Sequence, residues 1–169
     1  EYTKNIYDFT WCDDFSAAKN FAVSKATHPY VMVIDSDEYL QKIDLSRLEK
    51  MIVEHPGEVG RIQRINIISG KDGKQENKEW INRIFAKESF HYTGRIHEQV
   101  TAYDEKEYRT YEAPVLIGHT GYDLPKKEKK AKALRNIRLL EQELKNSGWD
   151  AKVHATQLEQ LSLIHISEP

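Results

Sequence analysis

Two aspartates one residue apart, Asp35 and Asp37, close the apolar run Tyr30-Val31-Met32-Val33-Ile34, and Glu38 follows them directly. In an extended chain residues i and i+2 point to one side, so the two carboxylates can converge. Converging carboxylates repel unless a cation lies between them or one is protonated. Hard divalent cations such as Mg²⁺ or Mn²⁺ accept one or two carboxylates and complete their shell with phosphate oxygens. The chemistry on offer is a metal that holds a diphosphate at a strand end, where open α/β sheets bind ligands. The same pair also serves without metal as capping or turn aspartates, because Asp-x-Asp is short and common. Three carboxyl groups crowded at one turn would pack poorly without a counter-ion, which raises the metal reading.

The run 30–34 is continuous, β-branched and apolar, the pattern of a strand covered on both faces in the middle of an α/β sheet. Before it, Asp13 and Asp14 offer cap oxygens to a helix over 15–27, with Ala18, Phe21, Ala22 and Ala26 on one face and His28-Pro29 as its stop. After it, Asp44 caps a second helix with the apolar stripe Leu45, Leu48, Met51 and Ile52, ending at Pro56-Gly57. Strands are expected at 59–68 and 80–85, joined as a hairpin through a turn at 70–73, and at 113–118. Pro125 opens a long polar helix whose seam is Leu134, Ile137, Leu140 or Glu141, and Leu144, with Gly148 at its end. Its lysine-dense start, 126–132, is most simply a set of solvated turns.

Composition narrows the field. A chain of 169 residues, 39% hydrophobic and 31% charged, suits one globular domain rather than two or a disordered segment. A formal charge of −2 gives no basis for a nucleic-acid partner. The one cysteine, Cys12, cannot form an internal disulfide, which points to a reducing, cytoplasmic setting. No apolar run approaches the roughly 20 residues of a membrane span, and no leader pattern opens the chain. The expected organisation is a main domain over 1–122, a helical extension over 123–148 and a tail over 149–169. Its last nine residues, 161–169, resemble translated cloning-adaptor sequence; the alternative is a short native strand.

The stretch Trp11-Cys12-Asp13-Asp14-Phe15-Ser16-Ala17-Ala18-Lys19-Asn20-Phe21-Ala22, the apolar strand and Asp35-Ser36-Asp37-Glu38-Tyr39-Leu40 together resemble family-2 glycosyltransferases, in particular a bacterial branch. Arg83-Ile84-Phe85, Tyr92-Thr93-Gly94-Arg95-Ile96-His97-Glu98-Gln99 and His119-Thr120-Gly121-Tyr122 are similar to later blocks of that branch, in the same order. The resemblance implies an α/β fold of GT-A type, a nucleotide-diphospho-sugar transferase sandwich. It implies inverting transfer from a nucleoside-diphosphate sugar donor to a glycan, lipid or peptide acceptor, with Asp35 and Asp37 holding Mg²⁺ or Mn²⁺ on the diphosphate. Lys19 stands where the branch usually has Arg, keeping the charge but losing the fork of donors. The family's first strand, helix and second strand would precede Glu1. The chain is thus expected to lack its first β-α-β elements and to self-associate through an exposed sheet edge.

Inverting transfer also needs a base, and Glu98, after the Gly94 bend, is the first choice; the alternative is an ion pair with Arg95 or a surface position. Arg95 and Lys19 are candidate contacts to the donor phosphates. His119 ends an apolar strand and suits a third metal ligand or a diphosphate contact; the bland alternative, which the residues favour without the resemblance, is a strand-end histidine bonded to a carbonyl. Trp80 and Tyr92 are candidate sugar platforms, although aromatics in strands are more often core. Two rivals remain: a catalytically incompetent fragment that binds a nucleotide-sugar or glycan, and a haloacid-dehalogenase-type phosphatase, whose apolar strand also ends in Asp-x-Asp.

Overall fold

A computed structural model describes residues 3–70, 73–119 and 126–146. The elements are helix α1 (Phe15–Ser24), strands β1 (Tyr30–Met32) and β2 (Glu38–Ile43), helix α2 (Leu45–Glu54), strands β3 (Val59–Gly70), β4 (Gly73–Ala86), β5 (Phe90–Thr93), β6 (Gln99–Ala102) and β7 (Thr110–His119), and helix α3 (Lys126–Asn146). Five strands form a mixed sheet in the order β1-β4-β3-β7-β2, and β5 and β6 form a separate antiparallel pair. The expected hairpin is β3-β4, in register from Arg61↔Asn82 to Gly70↔Gly73; residues 71 and 72 of its turn lie outside the described residues. β7 runs parallel to β3 and antiparallel to β2.

Side chains alternate between two cores. Leu48 of α2 packs with Ile62, Ile84, Val115 and Ile117 on one face. Val59 and Phe85 meet Phe90, Tyr92 and Val100 of the β5-β6 pair on the other. A third cluster joins Leu139 and Leu140 of α3 to Ile96 and Phe15. On β3 and β7 the α2-side rows read Ile62, Arg64, Asn66 and Val115, Ile117, His119. The apolar face therefore turns polar at one end, and the site is built there.

Several expectations are corrected. The run 30–34 is not a central strand: only Tyr30–Met32 pairs, with β4 alone, at the sheet edge. Val31 and Val33 still face one core and Met32 the other, but all three are half-buried, as an edge position dictates. α1 ends at Ser24, short of Thr27, because i→i+3 bonds from the Lys25 and Ala26 N–H groups tighten its last turn. Its inward face carries Val23, while Ala22 is exposed. On α2, Leu45 is 61% exposed, and the core takes Leu48, Met51 and Ile52. On α3, Leu134 is 54% exposed and the seam is Leu139 and Leu140. Pro125, Gly148 and the tail lie outside the described residues. The chain pattern missed β2, β5 and β6, three strands of four to six residues.

Candidate active site

The acidic triplet lies in the turn between β1 and β2. Glu38 closes that turn twice: its N–H donates to the Asp35 carbonyl (3.0 Å), and its Oε2 accepts the Asp35 N–H (2.9 Å). Just before the turn, the Val33 N–H donates to the Arg83 carbonyl (3.0 Å) and holds the chain against β4. Arg83 is the extra residue of a β-bulge, lying between the pairs Gly60↔Ile84 and Arg61↔Asn82. Bulges re-aim side chains beside active sites, and here the guanidinium reaches Asp35 Oδ2 (2.6 Å) and Glu38 Oε1 (3.1 Å).

From this point a network of ion pairs and hydrogen bonds crosses the sheet. The Glu38 side chain, wholly buried, also accepts from Arg64 Nη1 (3.0 Å). Arg64 donates through Nε (3.0 Å) and Nη2 (2.8 Å) to Glu79 Oε1, the acceptor of Asn66 Nδ2 as well (2.5 Å). Asn66 Oδ1 meets His119 Nδ1 (2.9 Å), and His119 Nε2 meets Asp37 Oδ2 (3.3 Å). In the other direction Lys19 Nζ lies 2.9 Å from Asp35 Oδ1 and 2.5 Å from Glu98 Oε1. Among the described residues, the carboxylates of Asp35, Asp37, Glu38, Glu79 and Glu98 and the cations Lys19, Arg64 and Arg83 share this network.

Burial alone would raise the Asp35 pKa, but the Arg83 and Lys19 charges outweigh it and hold the carboxyl below its usual range. Burial likewise opposes Glu79 ionisation, and the bonds from Asn66 and Arg64 prevail. Burial pushes the Tyr92 phenol up to about 12 despite the Arg83 charge beside it, so that hydroxyl stays protonated.

α1 and the β5-β6 loop bring in Lys19 and Glu98. The Asp14 carboxylate caps α1, accepting from the Ala17 N–H (2.9 Å) and the Ser16 hydroxyl (2.7 Å). Asp13, the other cap candidate, accepts from Trp11 Nε1 (3.0 Å) and pairs with Arg138 of α3. One turn along α1, Asn20 fastens the helix to β5: its Nδ2 donates to the Tyr92 carbonyl and its Oδ1 accepts the Tyr92 N–H, each at 2.8 Å. The loop then bends at Gly94 (φ 92°) and at His97 (φ 55°), a left-handed conformation that costs a non-glycine residue about 1 kcal/mol or more. Between the bends Ile96 is buried against α3, and Glu98 turns toward Lys19.

These groups face an open cleft of about 1270 Å³ whose lining includes Lys19, Asp35, Asp37, Glu98 and His119, with Lys132 and Arg135 of α3 on another wall. That exceeds the roughly 300–1,000 Å³ of an ordinary small-molecule pocket and leaves room for two substrates. Trp80 also lines it, 39% exposed, with Arg61 near its ring (5.9 Å). Tyr92 is core, as aromatic strand residues usually are.

Of the residues expected from sequence, Lys19, Asp35, Asp37, Glu98 and His119 come to one cleft. Asp37 and His119 are in contact, whereas the Asp35 carboxylate lies between Lys19 and Arg83. No group of three or more His, Cys, Asp or Glu side chains is gathered for a metal among the described residues. Glu98 pairs with Lys19. Arg95 contributes its carbonyl to the Phe15 N–H (2.9 Å) and is not part of the cleft lining. Sequence reasoning assigned no role to Arg83, Arg64, Glu79 or Asn66. The available signal was a polar residue, Asn66, between Ile65 and Ile67 of a strand buried on both faces.

A mixed sheet whose acidic turn opens on a wide polar cleft is the arrangement expected of an α/β fold of GT-A type. The family model for Glycosyl transferase family 2 matches residues 5–109, well over half of the chain. The chain belongs to that family and is a glycosyltransferase, and the phosphatase alternative is set aside. A search of curated proteins finds no match. Among the described residues no helix is long and apolar enough to cross a membrane.

Proposed function

We propose that the chain moves a sugar from a nucleoside-diphosphate donor to a glycan, lipid or peptide acceptor, with inversion at the anomeric carbon and Mg²⁺ or Mn²⁺ on the donor diphosphate. The observation that carries this is the contact of Asp37 with His119 on the wall of the cleft that also receives Glu98. The donor set, one carboxylate and one imidazole, fits a cation bound mainly through substrate and water rather than caged by protein. The nitrogen donor favours Mn²⁺ over Mg²⁺. When bound, such a cation neutralises the departing diphosphate.

The remaining work falls to the side chains. Lys19 ties Glu98 to the Asp35 turn through one ammonium, so base and donor site keep a fixed spacing. Glu98 takes the proton of the incoming hydroxyl. Arg83 and Lys19 hold Asp35 as an anion. The lone cysteine, Cys12, supports a reducing, cytoplasmic setting. Calorimetric titration of UDP into the full chain, with and without Mn²⁺, tests the reading. Asp37→Ala and His119→Ala should each abolish the metal-dependent part of binding while far-UV circular dichroism stays unchanged. Wild-type affinity in both variants, with metal present, would sink it.

A further inference from the structure

Helix α3 changes character along one face. Leu139 and Leu140 are buried and pack with Ile96 and Phe15, which fixes that end of the helix. One and two turns earlier the same side carries Asn136, Arg135 and Lys132, and all three line the cleft. Positions i, i+3 and i+4 of a helix are surface neighbours, so these side chains form one patch. Arg135 lies over the Phe15 ring, 5.0 Å from its centroid. Its Nε and Nη2 donate to Asn136 Oδ1 at 3.3 and 3.2 Å, which uses two of the five guanidinium N–H groups. A guanidinium only donates, so the amide end facing it is the oxygen, and the Asn136 NH₂ remains a donor. Lys132, the last of the lysine-dense run, is half-buried on the same wall. Among the described α3 residues that line the cleft, the opposing charge is Glu128. Arg138, by contrast, lies off the described lining and pairs with Asp13.

We propose that Lys132, Arg135 and Asn136 bind an anionic group, a phosphate or a carboxylate, carried by the acceptor, which makes the second substrate an acidic one. This rests on the transferase reading above, with the donor at the acidic turn. The patch offers N–H donors and two positive charges, and its complement is an oxyanion. A guanidinium fork matches the paired oxygens of phosphate or carboxylate, and an ammonium beside it adds a point charge. The donor diphosphate is assigned to the cation at Asp37 and His119 on the sheet side of the cleft. The cleft has room for two substrates, so an anion held on its helix side belongs to the other one. The Phe15 ring and the Asn136 oxygen hold the guanidinium in place before the acceptor arrives, which lowers the entropy lost on binding.

The test titrates the full ¹⁵N-labelled chain, free of metal, with glucose 6-phosphate, glucuronate and glucose as probes, read by nuclear magnetic resonance. The anions should shift the backbone amides of 131–136, and glucose, a similar ring without the charge, should not. A response to one anion alone names the acid that the acceptor carries. Lys132→Gln combined with Arg135→Gln, both good helix formers, should keep the far-UV circular dichroism and weaken anion binding about 10-fold or more. Arg138→Gln removes a cation from the same helix away from the cleft and should leave anion binding unchanged. UDP with Mg²⁺ should leave the anion-induced shifts in place and bind the double variant as tightly as wild type. An equal response to glucose, or wild-type anion affinity in the double variant, overturns the site. So does an equal loss in Arg138→Gln, which would reduce the effect to net charge. Displacement of the anions by UDP gives the cations to the donor and overturns the acceptor assignment. If wild type binds no UDP with metal present, the donor reading fails instead, and the acceptor role falls with it while the anion shifts on α3 still report the site.

Discussion

Replacing Arg83 with methionine removes the cation at the centre of the network while keeping an unbranched chain of similar reach. Arg83 is nearly buried and bonds Asp35 at 2.6 Å and Glu38 at 3.1 Å; the Glu38 side chain is wholly buried. Taking one partner from a buried ion pair costs about 3–5 kcal/mol, because a charge is left uncompensated. Two features lower that figure. Glu38 keeps its bond from Arg64 at 3.0 Å, and Asp35 is about a third exposed and keeps Lys19, so its share is screened. The expected loss is therefore about 3 kcal/mol in urea unfolding of the full chain at neutral pH. The variant should also respond differently to acid. Asp35 has a folded pKa below its ordinary 3.8, so its contribution is complete above that value and is lost as pH falls through the folded pKa. That depression depends on Arg83, so below about pH 4 wild type should lose stability more steeply than Arg83→Met. A cost under about 1 kcal/mol, or identical acid limbs, would refute the account of a buried charge held by this arginine.

Glu98→Gln should lower kcat about 100-fold or more with donor affinity near normal, because a general base acts in the transition state; an unchanged kcat moves the role to another residue, with His97 and Asp104 tested next. Asn20→Ala should cost about 2 kcal/mol, since it strips both main-chain bonds from Tyr92. Hydrogen exchange at the Tyr92 amide should then quicken, and an unaltered exchange rate would show the clamp to be idle.

The local features were legible because they rest on local chemistry. Asp14 and Asp44 cap their helices as side-chain acceptors near apolar runs must, and the β3-β4 hairpin follows from two strand-like runs around a glycine-rich turn. The place of β1 was not legible. An apolar run of five residues is the same string whether its strand is central or at an edge, and only the pairing partners decide. β2 escaped notice because its burial pattern is mostly exposed, with Gln41 and Lys42 breaking any apolar alternation. Within the site, Asp35, Asp37, Glu98 and His119 could be named because each stands at a strand end or bend. Arg83 could not, because the bulge that re-aims it is a mismatch between two strands and belongs to neither sequence alone.

The polar end of the sheet makes little sense as a source of stability. Buried ion pairs seldom outperform well-packed apolar residues of the same volume, and the rows below Arg64, Asn66 and His119 show that this face readily accepts Ile62, Val115 and Ile117. What the network does is divide the labour of two otherwise similar aspartates. Asp35 is matched by Lys19 and Arg83 and forms part of the scaffold. Asp37, 42% exposed at its side chain, meets the His119 imidazole. A carboxylate already neutralised by an ammonium and a guanidinium is a poorer ligand than one beside an imidazole. On the function proposed above, the two aspartates of Asp-x-Asp would serve the cation unequally, because Arg83 and Lys19 hold Asp35 in the frame while Asp37 meets His119 on the cleft wall.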